Sequence, residues 1–527
     1  MTGAALKNSS ENPVSAGKSG CGFFHSLYFR ETVIFLLSFI FFGYFSLLGI
    51  DPHHDGVMLI PAIRVAEGQV VFRDVFCQYG LLVPLIQGAA VALFGAELLV
   101  IRILTVLFYA GSAVLLDLLW RRFLPEKVSF LTPVMFALFS ACTMVTFHSW
   151  NSVYALFFML LYGLFILRWC EGDFSCRRNL FLAGVSAALT WACRTPCGVV
   201  TLFAGILTVG GLNCFCGKSW RQVLRENLIF FAGVLSIALL AAGYILISGG
   251  WDDFIKQSFG YVTDFVYGRG DSGSWQYFCD SLFPFYQQEL WFCNSFFAVL
   301  PIGAMILLYL EGRKGVLGSA EDMRKIMPLA ALLILGLGSW HQYYPVPCVR
   351  HLFWGGAPLF GAFLLILCRL WGKRNFAGIA AAALLILIAL LGFFPRAWGI
   401  WARVDLLSHR SVSDVQGIRY LLLNDFESQI VKMIKIGDEL GKSRGGIANW
   451  SDDSLFSAMV KSSGFKDRQF YRMDTRQYPG YDARVMRHIL EKRPVVLVDH
   501  DSFIPGYREA ASVVYLGKKY ALLIPSE

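Results

Sequence analysis

The sequence predicts a polytopic α-helical membrane protein with about 11 transmembrane helices and a C-terminal extracytoplasmic α/β domain. Of its 527 residues, 56% are hydrophobic and only 16% are charged, whereas about a quarter of a soluble globular chain is charged. Several apolar runs reach the roughly 17 to 25 residues that cross a bilayer. The region after residue 396 differs, because it is rich in charge and contains none of the 13 cysteines.

Eleven segments have the length and apolarity that a membrane-crossing helix needs. They lie near residues 32–50, 98–119, 128–147, 152–169, 179–193, 197–210, 228–248, 291–310, 327–340, 352–369 and 377–394. A further apolar segment, LLVPLIQGAAVALFG at 81–95, is short for a span. We expect it to form a helix that lies in the membrane interface.

Clusters of Lys and Arg set the expected orientation, because such clusters accumulate on the cytoplasmic side. A cytoplasmic N-terminal tail over residues 1–30 places five such loops inside, and these loops explain the net charge of +9. They are RRFLPEK, RWCEGDFSCRR, GKSWRQVLR, EGRKGVLGSAEDMRK and RLWGKR. The transmembrane domain is then 31–395, and its first outer loop, 51–97, faces outside together with the tail domain, 396–527. No cleavable signal peptide is expected at the N-terminus, and no basic run interleaved with aromatic residues indicates nucleic acid.

The tail has the alternating helices and strands of a small α/β domain. NDFESQIVKMIKIGDELGK predicts a helix with Asn424 or Asp425 as N-cap and Gly441 as its stop. YDARVMRHILEKR predicts a second helix, and PVVLVDH predicts a buried strand. SVVYLGKKYALLIP predicts a hairpin whose turn contains Gly517.

Charged side chains are concentrated where the chain leaves its first predicted span. The first outer loop begins with DPHHDG, and it carries Asp51, His53, His54, Asp55, Arg64, Glu67, Arg73 and Asp74. Such groups at a membrane boundary either solvate the interface or form a site for substrates that a lipid carries. Their density favours the second interpretation.

This loop resembles the first periplasmic loop of the GT-C glycosyltransferases. The resemblance rests on the acid pair after the first span, on PAIRVAEGQVVFRDVFCQYGLLVPLIQGAAVALFG and on the Arg102 of the next span. It covers residues 30–125 best. The similar enzymes are membrane glycosyltransferases that use polyprenyl-phosphate sugars, such as the protein O-mannosyltransferases and the lipid A aminoarabinose transferases.

The resemblance implies displacement of a polyprenyl phosphate from a sugar carbon by an acceptor hydroxyl. The family's general base is the acid after the first span, which Asp55 matches best and Asp51 matches second. Phosphate leaves readily but needs cations nearby. Such cations are expected at Arg73, Arg102, Arg194 and, in HQYYPVPCVRHLFWGG, Arg350. Further substrate-binding groups are expected at His53, His54, Asp74, Gln78, Tyr79 and His351.

Two features leave alternatives open. Some relatives place a second acid in the outer turn that here reads FHSWNS; this turn has none, so Asp51 or Asp74 could take that role. No metal or other cofactor is expected, although two His and two Asp within five residues could supply ligands for a divalent cation.

The sequence therefore predicts an inverting membrane glycosyltransferase of the bacterial inner membrane, with its active site facing the periplasm. Its expected partners are a polyprenyl-phosphate sugar, a cell-envelope glycan, lipid or protein acceptor, and membrane lipid. An O-antigen ligase or polymerase that uses diphosphate-linked glycans remains an alternative, because residues 249–290 form a long outer loop. A transporter or flippase is less favoured, because the sequence shows no two related halves. A receptor-like sensor would not need the acidic first loop.

Overall fold

The computed structural model describes residues 28–77, 79–143, 147–172, 176–260, 291–343, 349–405, 410–461, 481–499, 503–515 and 517–526. Within these ranges, nine helices are long and apolar enough to cross a membrane, so the chain is a polytopic membrane protein. Each of the eleven predicted spans overlaps one or more of the described helices. The helices Leu131–Thr143 and Arg177–Cys193 are shorter than the nine.

The helices are numbered in chain order. The first twelve are α1 Phe29–Ser46, α2 Pro52–Ala66, α3 Leu82–Phe94, α4 Leu98–Trp120, α5 Glu126–Ser129, α6 Leu131–Thr143, α7 Asn151–Glu171, α8 Arg177–Cys193, α9 Thr195–Gly205, α10 Asn213–Phe215, α11 Trp220–Ile247 and α12 Trp251–Ile255. The others are α13 Trp291–Leu317, α14 Ala320–Trp340, α15 Val349–Gly356, α16 Phe360–Gly372, α17 Phe376–Asp405, α18 Asp425–Lys442, α19 Leu455–Met459 and α20 Tyr481–Lys492.

Small residues allow some of the membrane helices to approach closely. A Cβ atom on Gly184 of α8 would overlap the backbone oxygen of Phe230 in α11. A Cβ atom on Gly233 of α11 would likewise overlap the backbone oxygen of Phe181 in α8. Glycines at such contacts let two backbones pack directly, which is typical of helices in lipid.

Ion pairs join α1 to the end of α4, away from the first outer loop. The guanidinium of Arg30, at the start of α1, binds the carboxylate of Asp117. Arg121 binds Glu31 at 2.6 Å. These contacts lie at the end that the charge distribution assigns to the cytoplasm, and the acid-rich loop lies at the other end of α1.

Helix α3 is the short apolar segment predicted between the first two spans. It has 13 residues, and its last residues Leu93 and Phe94 are 76% and 75% exposed. A position in the membrane interface, where apolar side chains at a helix end enter lipid, stays a prediction.

The tail contains the predicted mixture of helices and strands. Strands β3 Ile447–Trp450, β4 Val495–Asp499, β5 Tyr507–Tyr515 and β6 Lys518–Pro525 form a sheet in the order β3-β4-β6-β5. The short strands β1 Ser411–Val412 and β2 Leu422–Leu423 pair separately. Only β3 and β4 within the four-stranded sheet are parallel.

Local signals in the tail predicted its elements closely. Asn424 is the N-cap of α18, where its side chain accepts a hydrogen bond from the backbone N–H of Glu427. The helix ends at Lys442, one residue after the predicted stop. Gly517 lies in the turn between β5 and β6 with a φ of +77°, a conformation that glycine adopts without strain.

Candidate functional site

Four segments that were predicted on the outer side meet at one end of the helix bundle. They are the start of α2, the turn 147–150, the α8–α9 junction at Arg194 and the turn 341–343. Asp51 Oδ2 lies 3.8 Å from His148 Nε2, which joins the first two. Arg194 donates to the Gln342 side chain at 3.4 Å, which joins the others.

Asp51 is the N-cap of α2. Its Oδ1 accepts the backbone N–H of His54 at 3.0 Å, and its Oδ2 lies 2.9 Å from His54 Nδ1. Pro52, at the first helical position, has no N–H that needs a partner. Burial alone would raise the pKa of Asp51, but the hydrogen bonds from the side chain and the backbone N–H of His54 hold this pKa well below its usual range. Asp51 is therefore an ionised carboxylate with 17% of its side chain exposed.

His148 faces Asp51 from the turn before α7. Burial lowers the pKa of His148 well below its usual value, and the positive charge of Arg350 lowers it further. The imidazole is therefore neutral at physiological pH. Its turn is fixed by Gln87 of α3, whose Nε2 donates to the Ser149 carbonyl at 3.0 Å and to the Tyr154 hydroxyl at 3.1 Å.

Asp51, His54 and His148 could together hold a metal ion. One ligand atom from each residue lies within 4.8 Å of the other two. Two imidazoles and a carboxylate suit a borderline divalent cation such as zinc or manganese. A neutral His148 and an ionised Asp51 are the protonation states that coordination requires. The donor set therefore fits a divalent cation, which the sequence left open.

Asp55 lies one helical turn after Asp51, on the inner side of α2. Its side chain is 1% exposed, and that of Arg102 is 0% exposed. Asp55 Oδ2 accepts Arg102 Nη2 at 2.8 Å and the backbone N–H of Asp51 at 2.7 Å. Burial raises the pKa of Asp55 to about 6, although Arg102 opposes the rise. The pair supports the backbone of the loop, because Arg102 also donates to the carbonyls of Ser46 and Gly49 at 3.0 Å each.

Aromatic rings extend from the Asp51 cluster to Arg194. The Trp150 ring lies 5.4 Å from the His54 ring and 5.4 Å from the Tyr79 ring. The Arg194 guanidinium carbon lies 5.9 Å from the centre of the Tyr79 ring, and the guanidinium also donates to the Ser152 hydroxyl. Trp150 and Tyr79 are both partly exposed. Arg194 is buried, because the break between α8 and α9 places it inside the same end of the bundle as Asp51.

Other residues predicted for the site occupy different positions. Arg73 and Asp74 lie in a separate turn, where they bind each other at 2.7 Å and Arg73 donates to the Ser248 carbonyl. His53 faces the tail domain, with its Nδ1 3.2 Å from the Asp452 carbonyl. Gln78 lies outside the described residues.

Of the two predicted residues in the later outer turn, Arg350 is close enough to His148 to influence its pKa. The His351 ring packs 5.8 Å from the Trp354 ring. His341, in the same region, has a pKa lowered by burial and then by the charge of Arg194.

The sequence did not identify some residues that the structure brings to the site. His148 and Trp150 are in the turn FHSWNS, which was noted only for lacking an acid. An imidazole in that turn, on the same predicted side as Asp51, was the available signal. Glu427 and Tyr515 of the tail also reach Ile50, the residue before the first outer loop, and no sequence pattern indicated this.

No family model and no curated protein matches the chain. Three of the similar solved structures are of an oligosaccharyltransferase from Archaeoglobus fulgidus. The apo form has a TM-score of 0.49 at 11% identity, over 91% of this chain and 70% of that chain. A complex with an inhibitory peptide and a dolichol-phosphate has a TM-score of 0.48 at 10% identity, over 90% and 70%. A complex with Zn and sulfate has a TM-score of 0.46 at 13% identity, over 88% and 68%.

Proposed function

We propose that the chain is a membrane glycosyltransferase that moves a sugar from a polyprenyl-phosphate-linked donor to a hydroxyl or amine of a cell-envelope acceptor. The observation that carries this proposal is the placement of Asp51 beside His54, His148 and an aromatic wall that leads to Arg194. A carboxylate, imidazoles and a guanidinium at one end of a membrane helix bundle suit chemistry on a substrate that a lipid holds at that depth.

In the proposed reaction, the acceptor oxygen or nitrogen attacks the anomeric carbon of the donor sugar. The bond from this carbon to the phosphate oxygen breaks, and the phosphate leaves with the electron pair. Asp51 takes the proton of the acceptor as general base. Arg194 stabilises the charge that develops on the phosphate. The anomeric configuration inverts, because the displacement is direct.

Asp51 takes the role of base in place of Asp55 because it is accessible, although its low pKa makes it a weaker base than an ordinary carboxylate. The Asp55 carboxylate is enclosed and bound to Arg102 and to the backbone of Asp51. Asp51 is ionised and partly exposed, and it faces the imidazoles. A general base must reach the proton that it abstracts. Asp55 and Arg102 then hold the loop in place.

A divalent cation, if present, would be bound by Asp51, His54 and His148, and Asp51 would then act as a ligand rather than as the general base. Such an ion would supply positive charge for a leaving phosphate. This chain's residues would orient it, since Gln87 fixes the turn that carries His148. The proposal includes no other cofactor.

The experiment compares the wild type with Asp51→Asn, Asp55→Asn and Arg194→Gln in lipid nanodiscs. A panel of polyprenyl-phosphate sugars is supplied with envelope extract as acceptor, and release of polyprenyl phosphate is measured with and without EDTA. Asp51→Asn should lower turnover by about a hundredfold or more, as the loss of a general base does. Asp74→Asn is the matched control, because this acid lies in the separate turn, and it should keep wild-type turnover.

Four results would change the proposal. Full activity of Asp51→Asn would show that Asp51 is not the general base. Loss of activity only in Asp55→Asn, with an intact fold, would assign that role to Asp55. Turnover of diphosphate-linked donors alone would favour a ligase or polymerase. Loss of activity in EDTA that added Mn²⁺ or Zn²⁺ restores would make the cation part of the enzyme.

A further inference from the structure

The tail domain binds the backbone immediately before Asp51. Ile50 uses both of its backbone groups for this contact. Its N–H donates to Glu427 Oε1 at 3.3 Å, and its carbonyl accepts the Tyr515 hydroxyl at 3.0 Å. Glu427 belongs to the first turn of α18, and Tyr515 is the last residue of β5. The residue that precedes the proposed base is therefore held from two elements of the tail.

The neighbouring residues are bound in the same way. The N–H of Gly49 donates to the Leu422 carbonyl at 3.0 Å, and the N–H of Leu422 donates to the Leu47 carbonyl at 2.8 Å. Gly49 has a φ of +61°, and a Cβ atom there would lie 2.5 Å from Glu427 Oε1. Glycine is thus required both by the backbone conformation and by the closeness of the tail.

The transmembrane domain completes the remaining hydrogen bonds of this segment. Arg102 donates to the Gly49 carbonyl at 3.0 Å, and the N–H of Asp51 donates to Asp55 Oδ2 at 2.7 Å. Buried backbone groups are almost always paired, and here the partners come from both domains. Neither domain alone satisfies residues 49–51.

Glu427 is itself fixed before it meets the loop. Its Oε2 accepts the N–H of Asn424 at 2.8 Å as part of the capping box of α18. Arg410 Nη1 lies 3.6 Å from the same oxygen. The carboxylate is therefore oriented by its own helix, and its Oε1 accepts the hydrogen bond of the Ile50 N–H.

From these contacts we infer that the tail domain is a positioning part of the catalytic site, and that Glu427 and Tyr515 are positioning residues that set the place of Asp51 through Ile50. This inference rests on the proposed function for its link to turnover. The contacts between the tail and residues 49–51 do not depend on that function. Both residues act through the backbone and touch neither the donor nor the acceptor.

The test compares Tyr515→Phe with Tyr507→Phe in the full-length protein in nanodiscs. Both tyrosines are in β5, and both donate to a backbone carbonyl, Tyr515 to Ile50 at 3.0 Å and Tyr507 to Ile489 at 3.1 Å. The substitutions remove the same atom from the same strand. Of these two tyrosines, only Tyr515 connects the tail with the segment that precedes Asp51.

Hydrogen–deuterium exchange measures the positioning directly. Loss of one hydrogen bond of ordinary strength should raise local opening, and hence amide exchange in peptides spanning 47–56, by about fivefold in Tyr515→Phe. Tyr507→Phe should leave this peptide unchanged. Wild-type exchange at 47–56 in Tyr515→Phe would overturn the inference, whatever the protein catalyses.

Turnover of the donor found for the wild type supplies the second readout. Tyr515→Phe should lower kcat about fivefold or more with an unchanged KM for the donor, while Tyr507→Phe keeps both. Equal loss in the two variants would show a merely structural role and overturn the inference. A wild type that turns over no donor would refute the proposed function, and exchange at 47–56 would still decide whether the tail holds the loop.

Glu427 provides an independent variant pair. Glu427→Gln retains an oxygen that can accept from Ile50, whereas Glu427→Ala removes it. Exchange at 47–56 should rise in Glu427→Ala and return towards the wild-type rate in Glu427→Gln. Wild-type exchange at 47–56 in Glu427→Ala would contradict a role for the Ile50 hydrogen bond.

Discussion

Removal of the Arg102 guanidinium should destabilise the protein strongly, and removal of its partner as well should restore part of the loss. In Arg102→Met, the Asp55 carboxylate stays buried without its counter-ion, and the carbonyls of Ser46 and Gly49 each lose a donor. Breaking a buried pair by removal of one partner costs about 3–5 kcal/mol. We expect about 4 kcal/mol for this substitution.

The double variant separates the ion pair from the rest. Asp55→Asn alone should cost less, about 2 kcal/mol, because an amide oxygen still accepts the hydrogen bond of the Asp51 N–H and the guanidinium keeps its bonds to the carbonyls of Ser46 and Gly49. In Arg102→Met/Asp55→Asn no buried charge remains, so the total cost should be about 3 kcal/mol. The coupling free energy between the two sites is then about 3 kcal/mol, whereas the coupling between independent sites should be close to zero.

The assay is unfolding in mixed detergent micelles, followed by tryptophan fluorescence. Arg73→Met is the control, because the Arg73–Asp74 pair is solvent-exposed and should give no measurable change. A cost below about 1 kcal/mol for Arg102→Met, or a double variant equal to the sum of the single ones, would refute the assignment of a buried, coupled pair.

Three other outcomes follow from the described contacts. Gly56→Ala should destabilise the protein by roughly 1–3 kcal/mol or more, because its Cβ would overlap the backbone nitrogen of Leu455. Gly43→Ala is the control in the same unfolding assay: Gly43 has open space around it, so this substitution should be neutral or slightly stabilising. Burial would raise the pKa of Asp453, but the hydrogen bonds from His53 and Tyr520 lower this pKa below its usual value. The ionised Asp453 therefore stabilises the folded protein above about pH 4, and this stabilisation is lost as the pH falls further. In Asp453→Asn, the free energy of unfolding should therefore fall less steeply between about pH 4 and lower pH than in the wild type. His148→Ala should weaken Co²⁺ binding at least about tenfold by calorimetry, and an unchanged affinity would exclude His148 as a ligand.

The elements of this fold were predictable because their signals are local. Apolar length locates each membrane helix, and the capping pattern at Asn424 locates the start of α18. The shortness of α3 is likewise visible in the residues from 82 to 94. Each of these signals depends on residues that are neighbours in the chain.

The site was less predictable because its members come from separate segments. The sequence shows both acids of DPHHDG, but only packing decides that Asp51 stays partly exposed while Asp55 is enclosed by Arg102. The approach of His148 to Asp51 depends on how the turn before α7 is positioned by Gln87. Contacts between distant segments produce no periodic pattern in the sequence, so the sequence alone does not predict them.

The distance along the chain between Tyr515 and Ile50 has a consequence for synthesis. These residues are 465 positions apart, so the first outer loop emerges long before the strand that completes its hydrogen bonds. Residues 49–51 can therefore reach their final arrangement only after strand β5 has been made and has folded. Contacts of such long range form late. A chain interrupted before β5 would therefore leave the Ile50 carbonyl without its Tyr515 partner.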